Sequence, residues 1–207
     1  MGLLSHYLKK RNPLTLKSAL DDCLVHDSER GKSFVYKQFY GYLMAVAFRY
    51  VKEEMEAEDI VNESFVKIFK KLNTFECAEE SQILEKSFKG WIARVTVNTA
   101  IDKLRTKKDL LNIDDVSDYE MLTHTVPIAT TLEVNDILKL LYELPDIQRT
   151  IFNLYEIEGF SHEEIGKELN IPESTSRTYL TRAKSRLRKL YQKEFDINEQ
   201  IVTGGYR

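Results

Sequence analysis

The apolar residues of this chain return every three or four positions over most of its length, a spacing that confines it to helices. Phe34, Tyr36, Phe39, Tyr40, Leu43, Val46, Ala47 and Tyr50 mark one such run, with the recurrence a helix needs to bury one face. A second runs from about Ala57 to Leu72 through Ile60, Val61, Phe65, Ile68 and Phe69. A third starts near Phe88 and carries Trp91, Ile92, Val95, Thr99 and Leu104 to a basic end at Arg105, Lys107 and Lys108. With 8 Gly and 4 Pro in 207 residues, little is available to punctuate a β architecture. The expected fold class is all-α.

The periodicity fails in two places. Between Thr74 and Ser87 the pattern predicts a loop, with room for a short helix at Ser81–Leu84. From Asp109 to about Thr130 the chain holds Asp114, Asp115, Asp118, Glu120 and Pro127 and lacks Lys and Arg, the composition of an acidic flexible linker. These breaks divide the chain into a 1–14 extension, a helical domain at 15–108, the linker at 109–130, a second helical domain at 131–192 and a 193–207 tail. The second domain is itself divided, by Pro145, by Gly159 and by Asn170-Ile171-Pro172.

Ser161–Leu190 is the most specific segment. Ser161 followed by Glu164 is a capping box, Ile165 and Leu169 face inward, and Pro172 suits the first position of the next helix. In that helix Leu180, Ala183, Leu187 and Leu190 form an apolar stripe, and no acidic residue occurs from Ser174 to Lys193. A short helix, a tight turn and a basic second helix with hydroxyl and guanidinium groups near its start fit a helix-turn-helix that enters a major groove. The formal net charge of −3 does not oppose this, because a basic face can coexist with acidic segments.

Other chemistry finds no support. His162-Glu163 begins like a zinc-protease helix, but Gly166 stands where the second histidine would be needed. His6, His26, His124 and His162 lack ligand spacing, no glycine-rich phosphate loop occurs, and Cys23 and Cys77 read as reduced cytoplasmic thiols. No cofactor, metal or enzymatic activity is expected. Met1 to Pro13 has basic residues without a following apolar stretch, so it does not read as a signal peptide, and no run is long enough for membrane insertion.

Leu144-Pro145 through Arg149, Gly159-Phe160-Ser161-His162-Glu163-Glu164-Ile165, and Thr175 through Lys184 together resemble region four of the extracytoplasmic-function (ECF) sigma factors of the sigma-70 family. Ala57 through Phe65 resembles the core-polymerase-binding helix of that family, and Phe88-Lys89-Gly90-Trp91-Ile92 with Asn98, Asp102 and Arg105 resembles its −10 recognition helix. The resemblance covers roughly Thr15 to Tyr191 and implies two small helical domains that carry RNA polymerase to promoters. It implies that Asp59, Asn62, Glu63 and Phe65 dock on the clamp helices of the largest polymerase subunit. It places Lys89, Trp91, Arg94, Asn98, Lys103 and Arg105 on the −10 element. Arg149, Ser174, Thr175, Arg177, Thr178, Thr181, Arg182 and Lys184 fall on the −35 element. The partners implied are polymerase core, promoter DNA and an anti-sigma factor.

From the residues alone, Asp59 could equally complement a helix dipole, Trp91 could be core, and Arg149 could be a surface arginine. The linker could thread toward the RNA exit path or act as a plain tether. Three positions depart from the family pattern: Asn62 for Gln, Ser176 for Val, and Tyr179 for Arg or Lys. Ser176 is expected to weaken a core contact and Tyr179 to alter promoter preference. The stretch Glu76–Lys86 lengthens the loop before the −10 helix. A stand-alone helix-turn-helix regulator and a protein-only adaptor are the competing readings.

Overall fold

A computed structural model describes residues 14–76, 80–106 and 139–203, with side chains to Lys193. The 109–130 linker, nearly all of the N-terminal extension and Cys77 lie outside the described residues. All regular structure among the described residues is helical.

Helix α1 (Leu16–His26) begins at a capping box of Thr15 and Ser18 and stops at Asp27, which is left-handed with φ 47°. Ser28 then caps α2 (Glu29–Ala47), its side chain accepting from the Gly31 amide at 3.3 Å. Gly31 is required by the crossing: a Cβ there would lie 2.7 Å from the Ala19 carbonyl and 2.8 Å from Cys23 Sγ. Val35, Phe39, Leu43, Val46 and Ala47 bury one stripe of α2. Helix α3 (Glu54–Lys71) buries Ala57, Ile60, Val61, Ser64, Phe65 and Ile68. Its acids at Glu54 and Glu56 and its bases at Lys70 and Lys71 complement the helix dipole.

Helix α4 is where the sequence expectation fails. It spans Ser81–Thr106, so the long loop and the helix start near Phe88 are replaced by one continuous helix. Leu84 lies on the same face as Phe88, and its burial at 1% exposed explains the extra turns. Helix α4 is covered on several sides, burying Ile92, Ala93, Thr96, Val97, Ala100, Ile101 and Leu104 as well, so its upstream turns lack the clean polar–apolar alternation that would have marked them.

Residues 139–142 are helical, and Pro145 precedes α5 (Asp146–Phe152), which continues as a π turn at Asn153–Ile157. Gly159, at φ +76°, ends this segment. Helix α6 (His162–Leu169) starts at the expected Ser161–Glu164 capping box and ends at left-handed Asn170, φ 54°. Helix α7 runs from Glu173 to Thr203, so what reads as a tail after Gln192 continues as helix. Ile151, Leu154, Ile165, Leu169, Ile171, Tyr179 and Leu180 join the core built by α1–α4, while Leu141, Leu144 and Ala183 make a smaller satellite.

Candidate nucleic-acid interface

The turn between α6 and α7 is built around Gly166, where a Cβ would lie 2.9 Å from the Ile171 carbonyl. His162 Nδ1 and Ser176 Oγ lie 2.9 Å apart in the buried angle between the two helices, and the imidazole stacks on Tyr155 at 4.4 Å. Burial, with the nearby Arg177 second, holds the His162 imidazole below its ordinary range, so the ring is neutral. Ser176 therefore does not weaken the core; it supplies the hydrogen-bond partner of a buried histidine. Sequence periodicity could not show this, but a hydroxyl at a core position is a signal that a polar partner faces it.

The opposite face of α7 presents Ser174, Arg177, Thr178, Thr181, Arg182 and Lys184 to solvent, with Thr175 half-buried. Arg177 is paired with Glu173 one turn earlier, and Lys184 with Glu156 at 2.6 Å. Thr178 and Thr181 donate to the Ser174 and Arg177 carbonyls at 2.9 Å each, which orients their methyl groups and leaves oxygen lone pairs outward. Tyr179 is a correction: it is 7% exposed, packs in the core, and carries the Arg182 guanidinium 5.8 Å over its ring. Its ring faces Arg182 and offers little surface of its own.

Of the residues assigned to the −10 element, Arg94, Asn98 and Arg105 are exposed on α4 and Lys89 and Lys103 are half-buried. Trp91 is half-buried between Phe75 at 5.3 Å and Phe88 at 6.0 Å, with one side on a cleft of about 360 Å³ that Gly90, Arg94, Glu158 and Phe160 complete. Lys89 is paired with Glu85 at 2.8 Å, Lys103 with Asp59 at 2.9 Å, and Arg105 with Asp102 at 2.8 Å.

On α3, Asp59, Asn62 and Glu63 form one exposed row. Asn62 accepts a hydrogen bond from the Tyr36 hydroxyl at 3.1 Å, and Glu63 meets Lys67 at 3.0 Å. Phe65 is on the other side, 3% exposed and 4.6 Å from the Tyr36 ring. It supports the row from behind and offers no surface for docking.

Arg149 also departs from expectation. It is 1% exposed, and its Nη2 donates to the Tyr50 carbonyl at 3.1 Å and meets Asp146 at 3.0 Å. Its neighbours treat the end of α2 similarly. The Tyr142 hydroxyl donates to the Phe48 carbonyl at 2.9 Å, and Asn153 Nδ2 to the Arg49 carbonyl at 2.7 Å. Three consecutive carbonyls beyond α2 are thus satisfied by the second helical unit, with a cation at the negative helix end. Arg49 in turn pairs with Glu158 at 2.7 Å, whose carboxyl is pushed up by burial against the pull of that same arginine. No spacing rule pointed to this seam, because its donors and acceptors lie about a hundred positions apart.

Among the described residues no helix is long and apolar enough to cross a membrane, and no group of His, Cys, Asp and Glu could hold a metal ion. The family model for sigma-70 region 2 matches residues 35–109, and that for sigma-70 region 4 matches residues 135–187. The ECF RNA polymerase sigma factor SigW of Bacillus subtilis is 31% identical over 156 residues, covering 70% of this chain and 80% of the relative. RNA polymerase sigma factor SigV of the same organism is 32% identical over 149 residues, covering 72% and 84%. Among solved structures, RpoE of Bartonella quintana in complex with the anti-sigma factor NepR aligns with TM-score 0.45 at 22% identity, covering 77% of this chain and 96% of that one. With two helical units in the matched order, and relatives above 30% identity over most of their length, the chain belongs to the ECF RNA polymerase sigma factors.

Proposed function

We propose that the chain binds RNA polymerase core through the exposed row Asp59, Asn62 and Glu63, and directs it to promoters read by α4 and α7. The observation that carries this reading is the exposed face of α7, rich in cations and hydroxyls with no acidic residue from Ser174 to Lys193, on the second helix of a well-capped helix-turn-helix. Ser174, Arg177, Thr178, Thr181 and Arg182 lie where a helix entering a major groove meets base edges, with Lys184 and the bases after it available to phosphates. Arg177 exchanges Glu173 for DNA on binding.

On α4, Arg94, Asn98 and Arg105 supply charge and hydrogen bonds to a separated strand. Trp91 keeps one side on the cleft, where a displaced base could stack for about 1–3 kcal/mol. The chain acts as a regulator and not a catalyst, in the cytoplasm where polymerase is found, and family membership implies an anti-sigma factor as a further partner. The domain limits are those of the sequence reading, 15–108 and 131–192, with 109–130 between them. Run-off transcription with purified core polymerase on genomic templates tests the proposal. Core-dependent transcripts that vanish without the chain are expected, and failure to bind core or start any transcript would refute it.

A further inference from the structure

We infer that Tyr36 is a positioning residue of the polymerase-binding row: its hydroxyl fixes the Asn62 amide, so that the row offers polymerase a hydrogen-bond donor between two carboxylates. The identity of the partner rests on the sigma-factor reading; the fixing of the amide rests on geometry alone.

Each member of the row is held from within the chain. Asp59 meets Lys103 of α4 at 2.9 Å. Glu63 meets Lys67 at 3.0 Å, and Lys67 also reaches Asp102 of α4 at 3.3 Å. Asn62 carries no charge to be held by, and its partner is the Tyr36 hydroxyl of α2, which donates to Oδ1 at 3.1 Å. The Tyr36 ring is itself fixed, 4.6 Å from Phe65 and 5.3 Å from Tyr40, and Phe65 stacks on Phe69 at 5.9 Å. Phe65 is 3% exposed, so this ladder of rings is anchored in the core while Tyr36, 37% exposed, reaches the surface beside Asn62.

The bond decides which group the amide presents. An asparagine on an open helix face can turn either its oxygen or its nitrogen outward. With Oδ1 engaged by a phenol, Nδ2 is the group left for a partner. The row then reads carboxylate, amide donor, carboxylate, and the surface that fits it offers a cation, an oxygen acceptor and a cation. Holding the rotamer before binding also removes an ordering cost that the complex would otherwise bear. Met55 and Val66, 75% and 51% exposed, extend the same stripe one turn beyond Asp59 and one turn beyond Asn62. The row thus ends at both sides on apolar side chains held out in solvent, as a face that docks on protein does.

A double-mutant cycle on the full-length chain tests the inference, with affinity for purified core polymerase as the readout. Tyr36→Phe removes the hydroxyl and keeps the ring, and should weaken core binding about 3- to 10-fold, the effect of one lost hydrogen bond. Asn62→Ala should weaken it at least as much, and the double variant should bind no worse than Asn62→Ala, because the hydroxyl acts only through the amide. The Tyr36→Phe loss should persist as salt is raised, whereas the loss from Asp59→Ala should shrink. Asn62→Asp keeps an acceptor for Tyr36 but replaces the outward donor, and should also lose affinity. Thermal melting of each variant near wild type shows that the fold is kept; should Tyr36→Phe melt early, the comparison of Asn62→Ala with Asn62→Asp decides the role of the amide. Wild-type affinity for Tyr36→Phe, or losses that multiply in the double variant, would overturn the positioning role, and wild-type affinity for Asn62→Asp would overturn the donor. If the wild-type chain does not bind core at all, the sigma-factor reading falls and the inference with it, an outcome distinct from a Tyr36 variant that binds normally.

Discussion

His162 shows how one side chain sets the angle of the DNA-reading helix. Its ring is neutral, buried and hydrogen-bonded to Ser176, so it positions α7 without touching DNA. Ser176→Ala should leave the imidazole nitrogen without its partner and cost about 1–3 kcal/mol of stability, read as a shift in the denaturation midpoint. The same residue predicts a pH effect. The folded imidazole is harder to protonate than the unfolded one, so below about pH 6.5 the unfolded chain takes up the proton first and stability falls until the folded ring also protonates. His162→Gln should therefore lose less melting temperature than wild type between about pH 7.5 and 5.5; equal losses would mean His162 does not titrate as described. Gly166 offers a second test at this scale. The carbonyl that a Cβ would meet is backbone, at 2.9 Å, and cannot swing away, so Gly166→Ala should cost about 1–3 kcal/mol in thermal or denaturant unfolding. The glycine that breaks the zinc-protease pattern is thus the residue that closes the turn.

At the scale of elements, α7 and α3 should fail in different assays. Arg177→Ala and Arg182→Ala each remove a candidate base contact and should weaken −35 discrimination by about 1–3 kcal/mol, measured as promoter selectivity in transcription at fixed salt. Polymerase binding should be unchanged; a loss of core affinity would show that α7 is not purely a DNA helix. Asp59→Ala combined with Glu63→Ala should do the reverse, weakening core binding in a pull-down while leaving the melting transition near wild type. Their partners Lys103 and Lys67 form pairs open to solvent, which contribute little to stability. Both elements were legible in the sequence because amphipathic helices betray their period. The N-terminal turns of α4 were not, since a helix covered on several sides shows no clean alternation. Phe65 was placed on the docking surface by its neighbours in the motif, yet its apolar period puts it inside, and in the structure the period prevails.

For the whole molecule, the helical class and two-unit division follow from periodicity and its breaks, whereas the meeting of the two units does not. Tyr142, Arg149 and Asn153 meet carbonyls of residues 48–50, and backbone carbonyls have no signature in a sequence. A buried arginine also reads as a surface one until its partner is seen. This seam sets how stability is shared. The unit from residue 139 onward is small, and a core of that size rarely contributes more than about 3–5 kcal/mol by itself. It gains from joining the larger core through Ile151, Leu154, Ile165 and Leu169, but buried polar atoms of Gln148, Arg149, Thr150 and Asn153 that lack a hydrogen-bond partner there offset part of that gain. The α5–α6 segment should accordingly open before α2 and α3 do. Native-state hydrogen exchange should find the most protected amides of α5 and α6 exchanging at lower free energy, and with a smaller denaturant dependence, than those of α2 and α3. Arg49→Glu, which sets two carboxylates together where Arg49 now pairs with Glu158 at 2.7 Å, should lower protection in α5 more than in α3. Equal protection and equal denaturant slopes across all four helices would show that the chain unfolds as one unit, with no separable seam.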